Sequence, residues 1–358
     1  MTARIYGRPT FEIAGRPVGP DKPCYVIAEA GSNHNGDLDT AKRLIDAAAE
    51  AGADAVKFQT YTAEGLYSRK TPNPTYLKKA SLLKDQETVW ELIKRVEIPW
   101  AWHEELSAHT ASTGLHFLSS PFEEAAVDLL ESVKVPAYKI ASYEITHLPL
   151  ITYAAKTGKP LLISTGMASL ADIERALDVA NDTGCDQVAL LHCAINYPPR
   201  FDDLNLRAIQ TLATAFQVPV GWSDHTMGHS ADVAAVALGA CIVEKHYTLS
   251  RAQEGPDHAF ALEPHELTGM VQAIREAEES LGSPVKRVTE AESEMFRIGR
   301  RSLVAARDLP AGTRLTRDDI AVKRPGYGIQ VFEMEAVIGR RTSEAIESDE
   351  ILQWEMFA

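Results

Sequence analysis

A helical pattern, a glycine and a short apolar run follow one another repeatedly along this chain. Glycine is common just beyond a helix end, because it adopts the left-handed backbone conformation without a steric penalty. Each repeat therefore predicts a helix, a stop and a strand. The segments are "AAAEAGADAVKFQ", "HTASTGLHFLSS", "YAAKTGKPLLIST", "ANDTGCDQVALLHC" and "AVALGACIVEKH", with stops at Gly52, Gly114, Gly158, Gly184 and Gly239.

Three further apolar runs, "CYVIAEAG", "AYKIAS" and "VPVGWSD", complete a set of eight predicted strands. Continuous apolar runs are typical of strands covered on both faces, and helices between them imply parallel pairing through crossovers. The runs begin near residues 25, 55, 116, 138, 161, 188, 219 and 242. This pattern predicts an α/β fold, a (β/α)8 TIM barrel, with a doubly wound sheet as the alternative.

Composition narrows the class of protein. The 358 residues carry a formal net charge of −14, which disfavours a nucleic-acid surface. The chain has no run of about 18 apolar residues that could cross a membrane, and its start lacks the order of a signal peptide. We therefore expect a soluble, cytoplasmic protein that binds neither nucleic acid nor membrane. Its four cysteines lack C-x-x-C spacing, which favours buried thiols over a zinc site.

Polar side chains follow almost every predicted strand. In a TIM barrel the carboxyl ends of the strands surround the active site, so these residues should converge on one cavity. They include Glu29, Lys57, Gln59, Ser120, Lys139, Ser142, Glu144, Ser164, His192, Asn196, Tyr197, Ser223, His225, Glu244 and His246.

Two of these residues, Lys57 and Lys139, predict a phosphate-binding pocket. Lysines are uncommon at buried strand ends unless an anion is present, although both could instead extend to the surface. Nearby hydroxyl groups could add hydrogen bonds, or could serve as helix caps. The candidate hydroxyls belong to Ser120, Ser142, Ser164 and Ser223.

His225 and His246 predict a metal site. They follow neighbouring strands and are 21 residues apart, which is about one helix and one strand of a barrel. Glu29 or Asp257 could lie close to them. Two imidazoles with oxygen donors and open positions favour a Lewis acid such as Mn²⁺, with Mg²⁺ or Co²⁺ as alternatives, over a closed structural zinc.

The order and length of the motifs resemble the sialic acid synthase family, which makes neuraminate, legionaminate or pseudaminate. The resemblance covers almost the whole chain from about residue 20. It rests on "IAEAGSNHNGDLDTAKRLIDAAAEAGADAVKFQT", "LSSPF", "AYKIASYE", "LISTGM", "LLHCAINYP", "GWSDHTMG", "ALGACIVEKHYTL" and "GPDH". Such enzymes join phosphoenolpyruvate to an N-acetylhexosamine, and the resemblance implies the same small-molecule substrates here.

The resemblance also implies roles for individual residues. A metal on His225 and His246 would polarise the sugar aldehyde, while Lys57 and Lys139 would anchor the phosphate and carboxylate of phosphoenolpyruvate. Glu29 would orient a water or take its proton. Glu144 would balance the lysines or contact the carboxyl group. The expected substrate-binding residues are Gln59, Ser120, Ser142, Ser164, Asn196, Tyr197, Ser223, Asp257 and Arg324.

The pattern of helices and strands stops after the helix "ELTGMVQAIREAEESLG". We predict a barrel domain over residues 1–282, a charged linker over 283–300 and a small domain over 301–358. The last resembles the antifreeze-like (SAF), β-rich domain that ends the family's synthases. By that resemblance it would cap the barrel of a partner in a domain-swapped homodimer, with Arg324 reaching the hexosamine.

The sequence is also compatible with two other functions. Lys139 could be a Schiff-base nucleophile, as in aldolases, or the chain could be a non-catalytic sugar-binding protein. The sugar is also undecided, because "NYP" and "GPDH" are more similar to neuraminate or legionaminate synthases, whereas "IPWAWHEEL" resembles pseudaminate synthases.

Overall fold

The chain forms two compact units, residues 1–282 and residues 283–358. The structure is a computed structural model that describes residues 6–75, 77, 83 and 86–358. The second unit begins at the first residue of the predicted linker, and the linker carries a short helix. In the described residues no helix is long and apolar enough to span a membrane.

The first unit begins with an antiparallel hairpin that the sequence patterns did not predict. Its strands are β1 (Phe11–Ile13) and β2 (Arg16–Val18). Phe11, Ile13 and Val18 are buried and join the apolar core that fills the inside of the larger sheet. The hairpin therefore adds apolar contacts to the barrel core.

Eight parallel strands follow and form the barrel in the order β5-β4-β3-β10-β9-β8-β7-β6. The two strands at the ends of this order lie side by side, so the sheet is nearly closed. The predicted TIM barrel is confirmed, and the doubly wound alternative was wrong. The strands are β3 (Tyr25–Glu29), β4 (Ala55–Thr60), β5 (His116–Pro121), β6 (Tyr138–Ile140), β7 (Leu161–Ser164), β8 (Val188–Cys193), β9 (Val220–Asp224) and β10 (Ile242–His246).

Helices alternate with these strands, and all five glycines predicted to end a helix have positive φ. The first long helix has apolar residues at the spacing i, i+3, i+4 and i+7, and this stripe is fully buried at Ala41, Leu44, Ile45 and Ala48. The helices of the first unit include α1 (Leu38–Glu50), α2 (Ala63–Leu66), α3 (Val89–Val96), α4 (His103–Thr113), α5 (Glu124–Ser132), α6 (Leu148–Ala155), α7 (Leu170–Asp182), α8 (Ala208–Phe216), α9 (Ser230–Ala237) and α10 (Pro264–Leu281).

The second unit is built from short elements around its own apolar core. Strands β11 (Ser302–Ala305) and β12 (Ile320–Lys323) pair antiparallel. The unit also contains α11 (Ser293–Ile298) and α12 (Met334–Val337). Its fully buried core side chains include Leu303, Val337 and Leu352.

Gly221 in β9 lies where two strands of the barrel are closely packed. A Cβ atom there would lie 2.6 Å from the carbonyl oxygen of Ile242 in the neighbouring strand. Gly221→Ala should therefore lower the free energy of unfolding by about 1–3 kcal/mol. Gly269→Ala is the matched control, because nothing lies within 4 Å of its Cβ position in α10. The control should stabilise the protein by up to about 1 kcal/mol. Urea denaturation measures the free energy of unfolding of both variants. Equal changes in the two would contradict the close contact at Gly221.

Candidate active site

The carboxyl ends of the barrel strands enclose one polar cavity. It holds most of the strand-end residues that the sequence singled out. The lining residues are Glu29, Lys57, Gln59, Ser120, Phe122, Lys139, Ala141, Ser142, Tyr143, Ser164, Cys193, Ile195, Ser223, His225, Glu244 and His246. A larger cavity of about 760 Å³ lies at the opposite end of the barrel, but its Arg275 and Glu278 are already paired with each other. The polar cavity is therefore the candidate active site.

Two buried lysines and two buried carboxylates form the centre of the cavity. Lys57 Nζ lies 2.7 Å from Glu29 Oε2 and 3.8 Å from Glu244 Oε1. Lys139 Nζ lies 3.7 Å from the same Glu244 oxygen. All four side chains are at most 5% exposed. Water cannot neutralise charges buried to this degree, so the groups depend on one another.

The lysines also bond to two of the predicted hydroxyl groups. Lys57 Nζ donates to Ser120 Oγ at 3.2 Å, and Lys139 Nζ donates to Ser164 Oγ at 2.6 Å. A hydroxyl that accepts from an ammonium group keeps its own hydrogen for another acceptor. Both serines are therefore set to donate to an anion placed between the lysines.

The two carboxylates have different proton affinities. Burial raises the pKa of Glu29 to about 7, an effect that Lys57 opposes and Glu244 reinforces. Burial acts on Glu244 in the same direction, but Lys139 and Lys57 outweigh it and lower its pKa. Ser223 Oγ also donates to Glu244 at 3.1 Å. Glu244 is thus the permanent counter-ion, while Glu29 can gain or release a proton near neutral pH.

The imidazoles of His225 and His246 lie next to each other at the edge of this ionic group, with ring centroids 5.2 Å apart. His225 Nδ1 is 3.1 Å from the carbonyl oxygen of Ala194. Because a carbonyl can only accept, this nitrogen carries the hydrogen and Nε2 is left as a free donor of electrons. Burial lowers the pKa of His225 to about 4 and that of His246 well below its usual value, so both rings are neutral.

This pair fits one side of a divalent metal site. His246 Nδ1 is buried without a hydrogen-bond partner and lies 3.7 Å from Asp257 Oδ2. Within the described part of the chain, no group of three or more His, Cys, Asp or Glu side chains has the arrangement of a metal centre. Two imidazoles are fewer ligands than a closed structural metal site contains.

The "GPDH" loop brings Asp257 to the histidine pair. Ser32 Oγ donates to Asp257 Oδ2 at 3.3 Å, and burial raises the pKa of this carboxyl to about 6. The adjacent His258 is buried and bonds to Thr248 Oγ1 at 2.7 Å and to Asn35 Oδ1 at 3.2 Å. These hydrogen bonds indicate that His258 stabilises the loop.

Other predicted residues surround the cavity. Gln59 Nε2 donates to Glu29 Oε1 at 2.8 Å, and Ser142 Oγ accepts from the Gly166 amide at 3.0 Å. The ring of Tyr197 packs edge-on against His225, with centroids 4.5 Å apart. These three side chains can contact a substrate that reaches the histidines.

Glu144 is buried, and one of its oxygens has no hydrogen-bond partner. Burial raises its pKa to about 8, which Lys139 only partly offsets. The ion pairs of the lysines are with Glu29 and Glu244. Glu144 is therefore suited to donate a hydrogen bond as a neutral acid, and it is a poor counter-charge near neutral pH.

Two of the predicted strand-end residues lie outside the cavity, and Arg324 belongs to the second unit. His192 faces the outside of β8, where its Nε2 bonds to the carbonyl oxygen of Leu204 at 2.8 Å. Asn196 is exposed on the loop after β8. Arg324 is an exposed residue of the second unit, just before Pro325.

Glu244 is the residue to which the sequence patterns assigned no role. It lies two positions before His246 on β10, so both side chains point to the inside of the barrel. Strand alternation alone could have placed it there. Glu244 acts as a counter-ion for lysines on other strands, and the sequence around it does not indicate this pairing.

Comparisons with known proteins agree with this architecture. A model of the NeuB family matches residues 44–286, and a model of the SAF domain matches residues 300–358. The predicted antifreeze-like domain is thereby confirmed. An N,N'-diacetyllegionaminic acid synthase from Legionella pneumophila is 41% identical, with 95% of this chain and 96% of that protein aligned. A pseudaminic acid synthase from Helicobacter pylori is 34% identical, with 92% and 96% aligned.

A solved structure supports the same assignment. The N-acetylneuraminic acid synthetase of Leptospira borgpetersenii, determined in complex with citrate, is 33% identical with a TM-score of 0.72. The match covers 81% of this chain and 95% of that one. This chain is therefore an enzyme, and it belongs to the NeuB family of sialic acid synthases.

Proposed function

We propose that this enzyme condenses phosphoenolpyruvate with an open-chain N-acetylhexosamine and water, giving a nine-carbon nonulosonic acid and inorganic phosphate. The observation that carries the proposal is the pair of buried ammonium groups, each bonded to a serine hydroxyl, beside two neutral imidazoles. The sugar is N-acetylmannosamine or a 2,4-diacetamido-trideoxyhexose. This choice follows the names of the relatives and the overall resemblance.

Phosphoenolpyruvate would lie between Lys57 and Lys139. Its phosphate and carboxylate supply the anionic charge that two buried ammonium groups attract, and Ser120 and Ser164 each have a hydrogen to donate. Glu29 now occupies Lys57, so the anion competes with this carboxylate for the ammonium group. Binding of the anion is therefore favoured when Glu29 moves away from Lys57.

His225 and His246 would hold the divalent cation, for which Mn²⁺ is our first choice and Mg²⁺ or Co²⁺ the alternatives. When bound, such a cation supplies Lewis-acid polarisation of the sugar's aldehyde oxygen. The Ala194 carbonyl keeps the His225 ring in one orientation and one tautomer. The Tyr197 ring packs edge-on against that imidazole.

In the reaction, carbon 3 of phosphoenolpyruvate forms a bond to the aldehyde carbon, and the aldehyde oxygen becomes a hydroxyl group. A water adds to carbon 2, and phosphate leaves with the bridging oxygen by C–O cleavage. Glu29 is the base we propose for this water, because its pKa of about 7 suits reversible proton transfer near neutral pH. Glu144 would donate a hydrogen bond to the substrate as a neutral acid.

A substrate panel tests the proposed function. The purified protein should release phosphate from phosphoenolpyruvate only when a suitable sugar and divalent metal are added. The panel contains N-acetylmannosamine, its 2,4-diacetamido-trideoxy relative and the altrose analogue that leads to pseudaminate. Phosphate release without a nine-carbon product would mean simple hydrolysis and would contradict the condensation. Covalent trapping of Lys139 by borohydride in the presence of substrate would instead favour the Schiff-base reaction.

Removing either lysine should weaken the use of phosphoenolpyruvate. Lys57→Met and Lys139→Met each delete one charge-assisted contact, and we expect kcat/KM to fall by an amount equivalent to about 2–5 kcal/mol. Lys159→Met is the control, because this partly exposed lysine pairs with Glu131 outside the cavity. Steady-state kinetics with phosphoenolpyruvate as the varied substrate provide the measurement. Wild-type kinetics in both cavity variants would place these lysines outside the reaction.

Removing either imidazole should abolish binding of the metal. His225→Ala and His246→Ala are expected to lose both Mn²⁺ binding and activity while they keep the barrel, since small side chains fit either position. His147→Ala removes an exposed histidine and should change neither property. Titration with Mn²⁺, followed by the electron paramagnetic resonance of the free ion, measures the affinity. Activity in both cavity variants at saturating Mn²⁺ would refute the site.

We further propose that the enzyme is a domain-swapped homodimer, in which residues 301–358 of one subunit cover the barrel of the other. The second unit presents uncovered apolar side chains, with Phe332 85% and Tyr327 53% exposed. Exposed aromatic side chains of this kind are typical of interaction surfaces. Arg324 lies close to Tyr327 in sequence and would contact the sugar from the partner.

Mixing two inactive variants tests the swap. Lys139→Met damages the barrel and Arg324→Ala damages the cap, so a mixed dimer would keep one intact site. Equal mixing should restore about a quarter of the wild-type activity per subunit. Subunit exchange is checked by native mass spectrometry. If exchange occurs and activity does not return, or if light scattering shows an active monomer, the cap does not act across subunits.

A further inference from the structure

A second group of buried charges lies on the outer side of the strands that carry the two histidines, and the reaction does not use it. Lys245, Asp224 and Asp232 are at most 1% exposed. Lys245 follows Glu244 on β10, and Asp224 ends β9. The third residue, Asp232, lies in the first turn of α9.

The ammonium group of Lys245 bonds to several acceptors at the end of β9. It pairs with Asp224, donates to the Thr226 carbonyl oxygen at 2.7 Å, and lies 3.3 Å from Thr226 Oγ1. Asp232 Oδ2 is 3.5 Å away. One side chain of β10 thus bonds to the backbone at the end of the neighbouring strand.

Those acceptors lie on both sides of His225. Asp224 accepts from the Thr226 amide and from the Thr226 hydroxyl, each at 2.8 Å. The residues before and after His225 are therefore bonded to each other, and both are bonded to Lys245. This arrangement restricts the backbone that carries the imidazole.

Strand register places the same lysine next to the second imidazole. Lys245 is paired directly with Asp224 in the β9–β10 ladder, and His246 is the next residue on β10. Alternation points Lys245 outward and His246 inward. Lys245 consequently links the backbone positions from which both rings project.

We propose that Lys245 is a positioning residue that sets the spacing of His225 and His246 for a divalent cation. This inference rests on the proposed function, in which the two imidazoles are ligands. A buried ion pair contributes little stability compared with well-packed apolar side chains, so stability alone is a weak reason for an ammonium group there. Side chains that orient metal ligands typically change metal affinity by 10–100-fold when they are removed.

The test measures the affinity for Mn²⁺ alone, without substrates, together with the melting temperature. Lys245→Met removes the ammonium group but leaves Asp224 buried without its partner, so this variant should also be less stable. The double variant Asp224→Asn/Lys245→Met removes the charges of the closest pair, and its Asn oxygen can still accept from the Thr226 amide. Asp232 remains, but burial raises its pKa well above the usual value, which favours the neutral carboxyl. We expect the double variant to melt at a higher temperature than Lys245→Met and still to bind Mn²⁺ 10–100-fold more weakly than the wild type.

Val243→Ala is the matched control. Val243 is a buried core residue on the same outward face of β10, two positions before Lys245. Its truncation should cost stability by creating a cavity and should leave Mn²⁺ affinity at the wild-type value. His246→Ala is the reference for loss of a ligand.

The outcomes separate the two proposals. Wild-type Mn²⁺ affinity in the double variant, or an equal loss of affinity in Val243→Ala, would overturn the positioning role while leaving the metal site intact. Wild-type affinity in His246→Ala would overturn the metal site itself and, with it, the role of Lys245. Weaker binding in both Lys245 variants, with unchanged affinity in Val243→Ala, is the result that the structure predicts.

Discussion

Two ammonium groups buried inside the barrel require carboxylates beside them, and much of the site follows from that requirement. Lys57 and Lys139 share Glu244, and Lys57 also pairs with Glu29. Without an anion nearby each lysine would have to lose its proton or leave the interior. A bound anion can take over part of this pairing. The uneven proton affinities of Glu29 and Glu244 follow from the same arrangement, because only Glu244 lies between both lysines.

Strand alternation then separates the chemistry into two layers. On β10, Glu244 and His246 face the cavity while Lys245 faces the helices. The inward layer consists of groups that can contact substrates or a cation. In the outward layer the buried ammonium group of Lys245 on β10 bonds to Asp224 of β9 and to the Thr226 carbonyl oxygen. The position of Lys245 on β10 therefore explains why a charged residue stands between the cavity residues Glu244 and His246.

Much of the fold could be predicted from the sequence because it depends on local patterns. The glycines with positive φ and the buried stripe of α1 express backbone and burial preferences that act within a few residues. The hairpin of β1 and β2 was missed, since its apolar residues pack against strands far along the chain. His192 was expected at the cavity and faces outward, because the end of β8 presents Cys193 to the inside. Strand ends identify candidate residues, but pairing across the barrel decides which of them form the site.

In the proposed reaction, the cavity holds phosphoenolpyruvate for attack on an aldehyde, and phosphate is released by C–O cleavage. Phosphoenolpyruvate labelled with ¹⁸O at the bridging oxygen tests it directly, in a reaction with the preferred sugar from the panel and Mn²⁺. The ³¹P resonance of the released phosphate shows whether the label has moved with it. C–O cleavage gives labelled phosphate, formed in step with the nine-carbon acid. Unlabelled phosphate would mean P–O cleavage and would contradict the proposed reaction.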